Sequence, residues 1–218
     1  VTIIFLTYFS FVGIETDKLN NQIKSKLTSV NKNLDLELKQ INLKLNPLEL
    51  KINVKILGAK IKSRKEILET ESIKTKISLI SFFKDEFVIK NLDISTKSTD
   101  IGDLISFTKT FNNNPKLIIF EKFFQVKGFI LADLKINFDN KGNIKNNYFA
   151  KGYVKDAKLS LFEDYKLHDL NFVFKIEKDN LEIQDIEFIF NDINFISDTV
   201  NLKKNKQGYT LKGNLNNK

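Results

Sequence analysis

Hydrophobic and polar residues alternate over long stretches of this chain, and the clearest stretch runs from Leu34 to Ile56. Its first half is apolar at every second position, both before and after a one-residue shift at Gln40. Successive side chains of a strand point to opposite faces, so this pattern predicts a strand with one apolar and one charged face. The shift at Gln40 predicts a β-bulge that restores the apolar face, within a strand of roughly 40 Å.

A turn at Asn46-Pro47 separates this strand from a second one, because proline has no N–H to donate to a central ladder. The second strand is predicted to point five apolar side chains to one face: Leu48, Leu50, Ile52, Val54 and Ile56.

The second half of the chain repeats this alternation in runs of about a dozen residues, with turn residues such as Asp139–Asn143 between the runs. Such spacing predicts consecutive antiparallel strands. The predicted fold class is mainly β with a few helices (α+β). Its main element is a long twisted antiparallel β-meander that folds into a groove or a sandwich.

Two helices are predicted beside the strands. The first, at residues 16–32, is amphipathic, with an apolar stripe formed by Leu19, Ile23, Leu27 and Val30. It either packs on the sheet or lies on a membrane surface with its lysines against anionic headgroups, and core packing is favoured. The second spans residues 101–112.

The first 14 residues contain no charged side chain. As a helix they cover about 20 Å, less than the roughly 30 Å hydrocarbon core of a bilayer. They are interpreted as the C-terminal part of a membrane anchor, or else as the apolar region of a cleaved signal peptide or a buried strand. We favour the anchor, and we expect the chain, which has no Met even at position 1, to be part of a longer protein. The predicted anchor residues are Ile3, Ile4, Phe5, Leu6, Phe9, Phe11 and Val12.

The amino-acid composition argues against nucleic acid as a partner. The net charge is +8, yet Arg64 is the only arginine and the lysines are spread along alternate strand positions. Nucleic-acid sites favour clustered arginine, so no nucleic-acid partner is predicted.

Catalytic chemistry is not indicated. There is no Cys, and His168 is the only histidine, so neither a His-paired nucleophile nor a multi-His metal site is available. The loop at Asp139–Asn143 lacks the closing Glu of a Ca²⁺ loop. We therefore predict a protein that is not an enzyme, with no catalytic, cofactor-binding or metal-binding residues.

A long amphipathic meander leaves one apolar face to be covered, and two short helices cover only part of it. The apolar face could be covered by a second sheet, by a fold of the same sheet or by a hydrophobic ligand. A sixteen-carbon chain costs of order 12 kcal/mol to expose to water, which an apolar groove would largely remove. The groove candidates are Leu134, Ile136, Phe138, Phe172, Phe174, Ile176, Phe188 and Phe190.

Two segments carry a family resemblance. The run K-L-N-P-L-E-L at Lys44–Leu50, after an apolar segment and a helix, resembles a hairpin of the AsmA family's N-terminal region. The stretch Gly128–Gly152 is similar to the hairpins of AsmA-like repeats. The resemblance implies a protein of the bacterial inner membrane, with residues 1–14 in its single anchor and residues 15–218 forming a periplasmic, groove-forming β domain. It also implies phospholipid transport towards the outer membrane and a role in envelope integrity.

The expected partners are membrane phospholipids, the inner membrane itself and envelope proteins. The alternative function is a non-enzymatic periplasmic β-rich scaffold or protein-interaction module. An outer-membrane barrel suits the alternation, but it fits poorly with an N-terminal anchor and a helix at residues 101–112.

Overall fold

The computed structural model describes residues 2–16, 20–21, 23–24, 34–80, 89–110, 124–139, 145, 147–161, 165–205 and 208–217, without the side chains of 2–6, 124–126 and 161. Strands make up 70% of the structure, in a large antiparallel open sheet with few helices, which confirms the predicted fold class at this level. The elements are α1 (Thr2–Phe11), β1 (Ile14–Glu15), β2 (Leu34–Glu37), β3 (Gln40–Asn46), β4 (Lys51–Leu57), β5 (Lys60–Ser63), β6 (Glu66–Ser78), β7 (Asn91–Thr96), β8 (Thr99–Asp100), α2 (Ile101–Lys109), β9 (Phe124–Asn137), β10 (Phe149–Leu161), β11 (Tyr165–Glu177), β12 (Asn180–Phe190), β13 (Ile193–Asn205), β14 (Gly208–Gly213) and β15 (Asn216–Asn217).

The chain divides into two compact units. Unit 1 comprises residues 1–96 and 134–148, and unit 2 comprises residues 97–133 and 149–218.

Unit 1 is built on antiparallel strands in the order β1-β3-β4-β6-β7. The register aligns apolar side chains across neighbouring strands, as in the row Ile41, Ile56, Ile73 and Ile94. Cross-strand rows of this kind bury β-branched side chains efficiently. The buried core consists of Leu36, Ile41, Leu43, Leu45, Ile52, Val54, Ile56, Ala59, Ile73, Ile77 and Ile94.

A short ladder of β2, β5 and β6 contributes to this core. Leu36 lies opposite Ile61, and Ile61 lies opposite Leu68. The half-buried side chains of Phe9, Ile23, Leu38 and Ile61 also pack against the core cluster. The apolar face of unit 1 is thus closed by its own residues.

The prediction of one long strand through Gln40 was wrong. The chain leaves the extended ladder at Leu38-Lys39, so β2 pairs with β5 whereas β3 pairs with β1 and β4. The one-residue shift marks a change of pairing partner, not a bulge within one strand.

The turn after Asn46 is confirmed, but it is longer than predicted. Residues 47–50 form the turn and β4 begins at Lys51. Leu48 and Leu50 were expected on the apolar face, but they are 97% and 60% exposed. Leu50 has a φ of 49°, a left-handed conformation that takes it out of the strand alternation.

The helices are partly as predicted. The helix at residues 101–112 appears as α2, which Asp100 caps by accepting hydrogen bonds from the N–H groups of Gly102 and Asp103. Of the helix predicted at residues 16–32, the structure describes residues 20–21 and 23–24, which are helical, and residue 16, which is not. Ile23 packs against the core of unit 1, as the core-packing alternative requires. Leu19, Leu27 and Val30 lie outside the described residues.

The first residues form α1, which is ten residues long and is followed by β1. No helix within the described ranges is long and apolar enough to cross a membrane. Phe9 contacts the core of unit 1, whereas Phe11 and Val12 are 75% and 54% exposed. The side chains of Ile3, Ile4, Phe5 and Leu6 lie outside the description.

Unit 2 is an antiparallel meander in the order β9-β10-β11-β12-β13-β14, in which β8 also pairs with β9 and β15 with β13. Each of its longest strands has 11–14 residues, more than the usual five or six.

A band of irregular residues crosses this meander. Asp156, Asp169 and Asp185 have φ values of 51°, 53° and 52°, in three neighbouring strands. The register between β10 and β11, and between β11 and β12, shifts at this band and then recovers. An extra residue in one strand bends it and increases its twist. Because each neighbour carries its own extra residue, the pairing is restored on both sides.

A candidate apolar binding face

Unit 2 carries an apolar face that runs across β10 to β13. Register places Ile176 between Ala150 and Leu181, and Leu181 opposite Leu202. On the other side of the irregular band, Phe188 lies opposite Phe195. Members of the face in the three central strands are Leu167, Leu170, Phe172, Phe174, Ile176, Leu181, Ile183, Ile186, Phe188, Phe190, Ile193, Phe195, Val200 and Leu202.

This face differs from the closed core of unit 1 in its accessibility. Ile52 and Ile41 in unit 1 are 0% and 1% exposed. On the unit 2 face, Phe174 and Ile186 are buried, but Phe172, Phe188 and most of the others are only half-buried. The face is therefore apolar along about nine residues of strand, close to 30 Å, and solvent still reaches it.

Aromatic side chains supply much of this surface. The rings of Phe172 and Phe174 meet edge to face with centroids 6.4 Å apart. The rings of Phe188 and Phe195 stack at 5.3 Å, and Tyr165 stacks on Phe190 at 6.1 Å. Aromatic pairs in such geometries add about 0.5–1.5 kcal/mol beyond their buried area.

The opposite face of the same strands is charged and exposed. Lys151 lies opposite Lys175, and Lys175 lies opposite Glu182. The Lys175 ammonium sits 5.9 Å from the centroid of the Phe149 ring, which partly shields that ring. Val173 is an apolar exception, 38% exposed on this outward face.

The structure distributes the eight predicted groove residues over both units. Phe172, Phe174, Ile176, Phe188 and Phe190 lie together on the unit 2 face.

The other three belong to unit 1. Leu134 and Ile136 pack against its core, and Phe138 is half-buried while its N–H donates to the carbonyl of Lys90. The side chains of Leu134 and Ile136 therefore fill part of the closed core of that unit.

Several residues of the face were not predicted. Leu170, Ile183, Ile186 and Phe195 share it with the five candidates. Their signal was present in the alternation of each strand, but the alternation slips by one position at the aspartates of the irregular band. A single period of two therefore does not connect the two ends of a strand.

Ionisable groups on the described residues form surface pairs. The Lys24 ammonium, 2.7 Å from a carboxylate oxygen of Asp35, lowers the pKa of Asp35, and Lys62 does the same for Glu37. His168, on β11, has its Nδ1 3.0 Å from Asp169. Within the described part of the chain, no three His, Cys, Asp or Glu side chains are grouped to hold a metal.

Comparison with known proteins finds no match to a family model, to a curated protein or to a solved structure. The AsmA resemblance stays a prediction, and inference about function rests on the residues and geometry of the chain itself.

Proposed function

We propose that this protein binds the acyl chains of phospholipids along the apolar face of unit 2, as an AsmA-like protein of the bacterial inner membrane that moves lipid towards the outer membrane. The observation that carries the proposal is the contrast between the two units. Unit 1 closes its apolar face with its own side chains, whereas the unit 2 face is apolar over close to 30 Å and half-buried.

The chemistry of the face suits an acyl chain. Most of its side chains are Leu, Ile, Val and Phe, which offer contact area and no hydrogen bonds. Each CH₂ group moved from water onto such a surface gains about 0.8 kcal/mol. An elongated ligand can collect this gain from several strands, since neighbouring strands are only about 4.8 Å apart.

The proposed location follows from the family resemblance and the uncharged first residues. The anchor would be in the inner membrane and the β units in the periplasm. No catalytic step is needed, because lipid held in an apolar groove moves by binding and release alone.

Photo-crosslinking in cells tests the proposal. A benzophenone amino acid replaces Phe172 or Phe188, and the adducts are identified by mass spectrometry. Both side chains are half-buried, so the benzophenone ring is tolerated better there than at the buried Phe174. We expect phospholipid adducts at both positions.

Val173 provides the matched control. It is apolar, it lies next to Phe172 on the same strand, and it faces the opposite side of the sheet. Lipid adducts at Phe172 and Phe188 but not at Val173 support the groove. The proposal would be refuted by equal lipid adducts at all three positions, or by the absence of lipid adducts at every one of them.

The alternative function is a periplasmic scaffold or protein-interaction module. One observation favours it: every residue of β14 is exposed, with Tyr209 and Leu211 at 65% and 68%. An exposed strand offers backbone groups and side chains to another sheet. Protein adducts at Phe172 and Phe188 in place of lipid would favour this function.

A further inference from the structure

The β3–β4 turn of unit 1 presents two leucines to solvent at one end of the sheet. Leu48 is 97% exposed and Leu50 is 60% exposed, although each fully buried leucine would gain about 1.5–3 kcal/mol. Ile80, at 63% exposed, lies at the same end, because the N–H of Leu79 donates to the carbonyl of Leu50. Three large apolar side chains at this end are therefore left exposed by the described residues of unit 1.

The end of α1 reaches the same end of unit 1. Lys44 Nζ donates to the carbonyl of Phe11 at 2.9 Å, which satisfies a carbonyl at the C-terminus of the helix. Ile14 pairs antiparallel with Leu43, so the residues just before Ile14 lie on the side of the β3–β4 turn. The C-terminal end of α1 therefore lies on the same side of unit 1 as the exposed leucines.

The outward face of the strands that lead to the turn is basic. Lys51 begins β4, Lys44 and Lys76 lie in the next row, and Lys55 pairs with Lys74 in the row after that. These rows fall within roughly 15 Å of the turn at 3.3 Å per residue.

Among the residues that the structure describes, three carboxylates oppose these five lysines. Glu49 lies in the turn, Asp93 lies opposite Lys74, and Glu15 is on β1. Lys51 and Lys76 contact Glu49 at 2.9 and 3.2 Å and lower its pKa, so that it is ionised at neutral pH. These described side chains together leave an excess of positive charge on the face next to the leucines.

We infer that this end of unit 1, the Leu48–Leu50 turn with its surrounding lysines, docks on an anionic lipid bilayer. Exposed leucines enter the headgroup region, and the lysines lie against the lipid phosphates, the arrangement by which amphipathic surfaces bind membranes. The inference concerns unit 1 alone and does not depend on lipid binding by unit 2.

Absence of cysteine from the chain allows a position-specific test. Leu48→Cys in the full chain is labelled with a polarity-sensitive nitrobenzoxadiazole dye, and Val173→Cys serves as the control. Val173 is also an exposed apolar residue, but it lies in unit 2 and on the face opposite the proposed acyl-chain site. The probes are vesicles of phosphatidylglycerol and phosphatidylethanolamine, with pure phosphatidylcholine vesicles for comparison.

We expect a blue shift of the dye at position 48 with the anionic vesicles, quenching there by spin-labelled lipid, and neither effect at position 173. Salt at about 1 M, where the Debye length is ~3 Å, should weaken the response. The inference is overturned if the chain floats with the vesicles while position 48 shows no shift, or if both positions shift equally.

A second variant separates docking from folding. Leu50→Gly removes an apolar side chain and also relieves its left-handed backbone conformation, so it leaves the fold at least as stable. In the chain that carries the dye at position 48, Leu50→Gly should reduce the affinity for anionic vesicles roughly tenfold. Unchanged affinity would contradict the role assigned to the leucines.

Discussion

The two units are expected to respond differently to the same core substitution, because one apolar face is closed and the other is accessible. Ile52 and Ile183 make a matched pair. Ile52 is 0% exposed and lies between Leu45 and Ile77 in unit 1. Ile183 is half-buried and lies between Phe174 and Val200 in unit 2.

Replacing either isoleucine by alanine removes three carbon atoms, for which the full transfer free energy is about 2.4 kcal/mol. At Ile52 a cavity term is added, because the neighbouring strands are tied by hydrogen bonds and collapse little, so we expect a loss of about 3–4 kcal/mol. At Ile183 only part of the side chain is withdrawn from water and no sealed cavity forms, so we expect about 1–1.5 kcal/mol.

Hydrogen–deuterium exchange with mass spectrometry measures each unit separately. Peptides from β4 report on Ile52→Ala, and peptides from β12 report on Ile183→Ala. The two expected stability losses differ by about 2 kcal/mol. Ile52→Ala should therefore increase the exchange rate in β4 by a factor roughly 30 times larger than Ile183→Ala does in β12. Equal acceleration would mean that the unit 2 face is as closed as the unit 1 core, and the argument for an acyl-chain site would fail.

Three further outcomes are expected. Asp185→Gly should raise the thermal midpoint slightly, since glycine adopts a φ of 52° without strain, whereas Asp185→Val should lower the free energy of unfolding by about 1–3 kcal/mol. If the valine variant instead melts at a higher temperature than the glycine variant, residue 185 does not have the left-handed conformation of the bulge. Gly152→Ala should reduce the yield of folded protein, because a Cβ there meets the carbonyl oxygen of Leu131 and comes within 2.7 Å of the Phe174 ring. A variant with native circular dichroism and an unchanged melting temperature would show that Gly152 does not pack this closely against Leu131 and Phe174. The pKa of Glu49 is depressed in the folded state, so its contribution to stability is complete above the unfolded pKa near 4.5 and is lost as the pH falls through the lower folded pKa. In urea titrations between about pH 6 and pH 3, the free energy of unfolding should therefore fall less for Glu49→Gln than for the parent protein.

Local patterns were enough to predict the class of the fold and several of its elements. Alternation predicted antiparallel strands, Asn46-Pro47 predicted the turn after β3, and helical spacing predicted α2. Each of these depends on residues close together in sequence, where side-chain direction and turn chemistry decide the outcome.

Features that depend on distant pairing were not predictable in this way. The break at Leu38-Lys39 exists because β2 finds its partner in β5, more than twenty residues later. Leu48 was expected to be buried because its spacing continues that of Ile52, yet the turn is one residue pair longer than Asn46-Pro47 alone suggests. Likewise, nothing in the alternation distinguishes an apolar face that is covered from one that stays accessible.

The irregular band in unit 2 shows how a slip in the pattern and a continuous apolar face are compatible. A one-residue slip in a single strand would turn every later side chain to the opposite face. Register of β11 against β10 and β12 is instead recovered beyond the band, because extra residues at Asp156, Asp169 and Asp185 compensate one another. Leucine and phenylalanine side chains therefore stay on one face at both ends of the strands, while the bulges bend the strands that carry them. Such a face is long enough for an acyl chain, and because the bulges compensate one another it remains apolar on both sides of the bend.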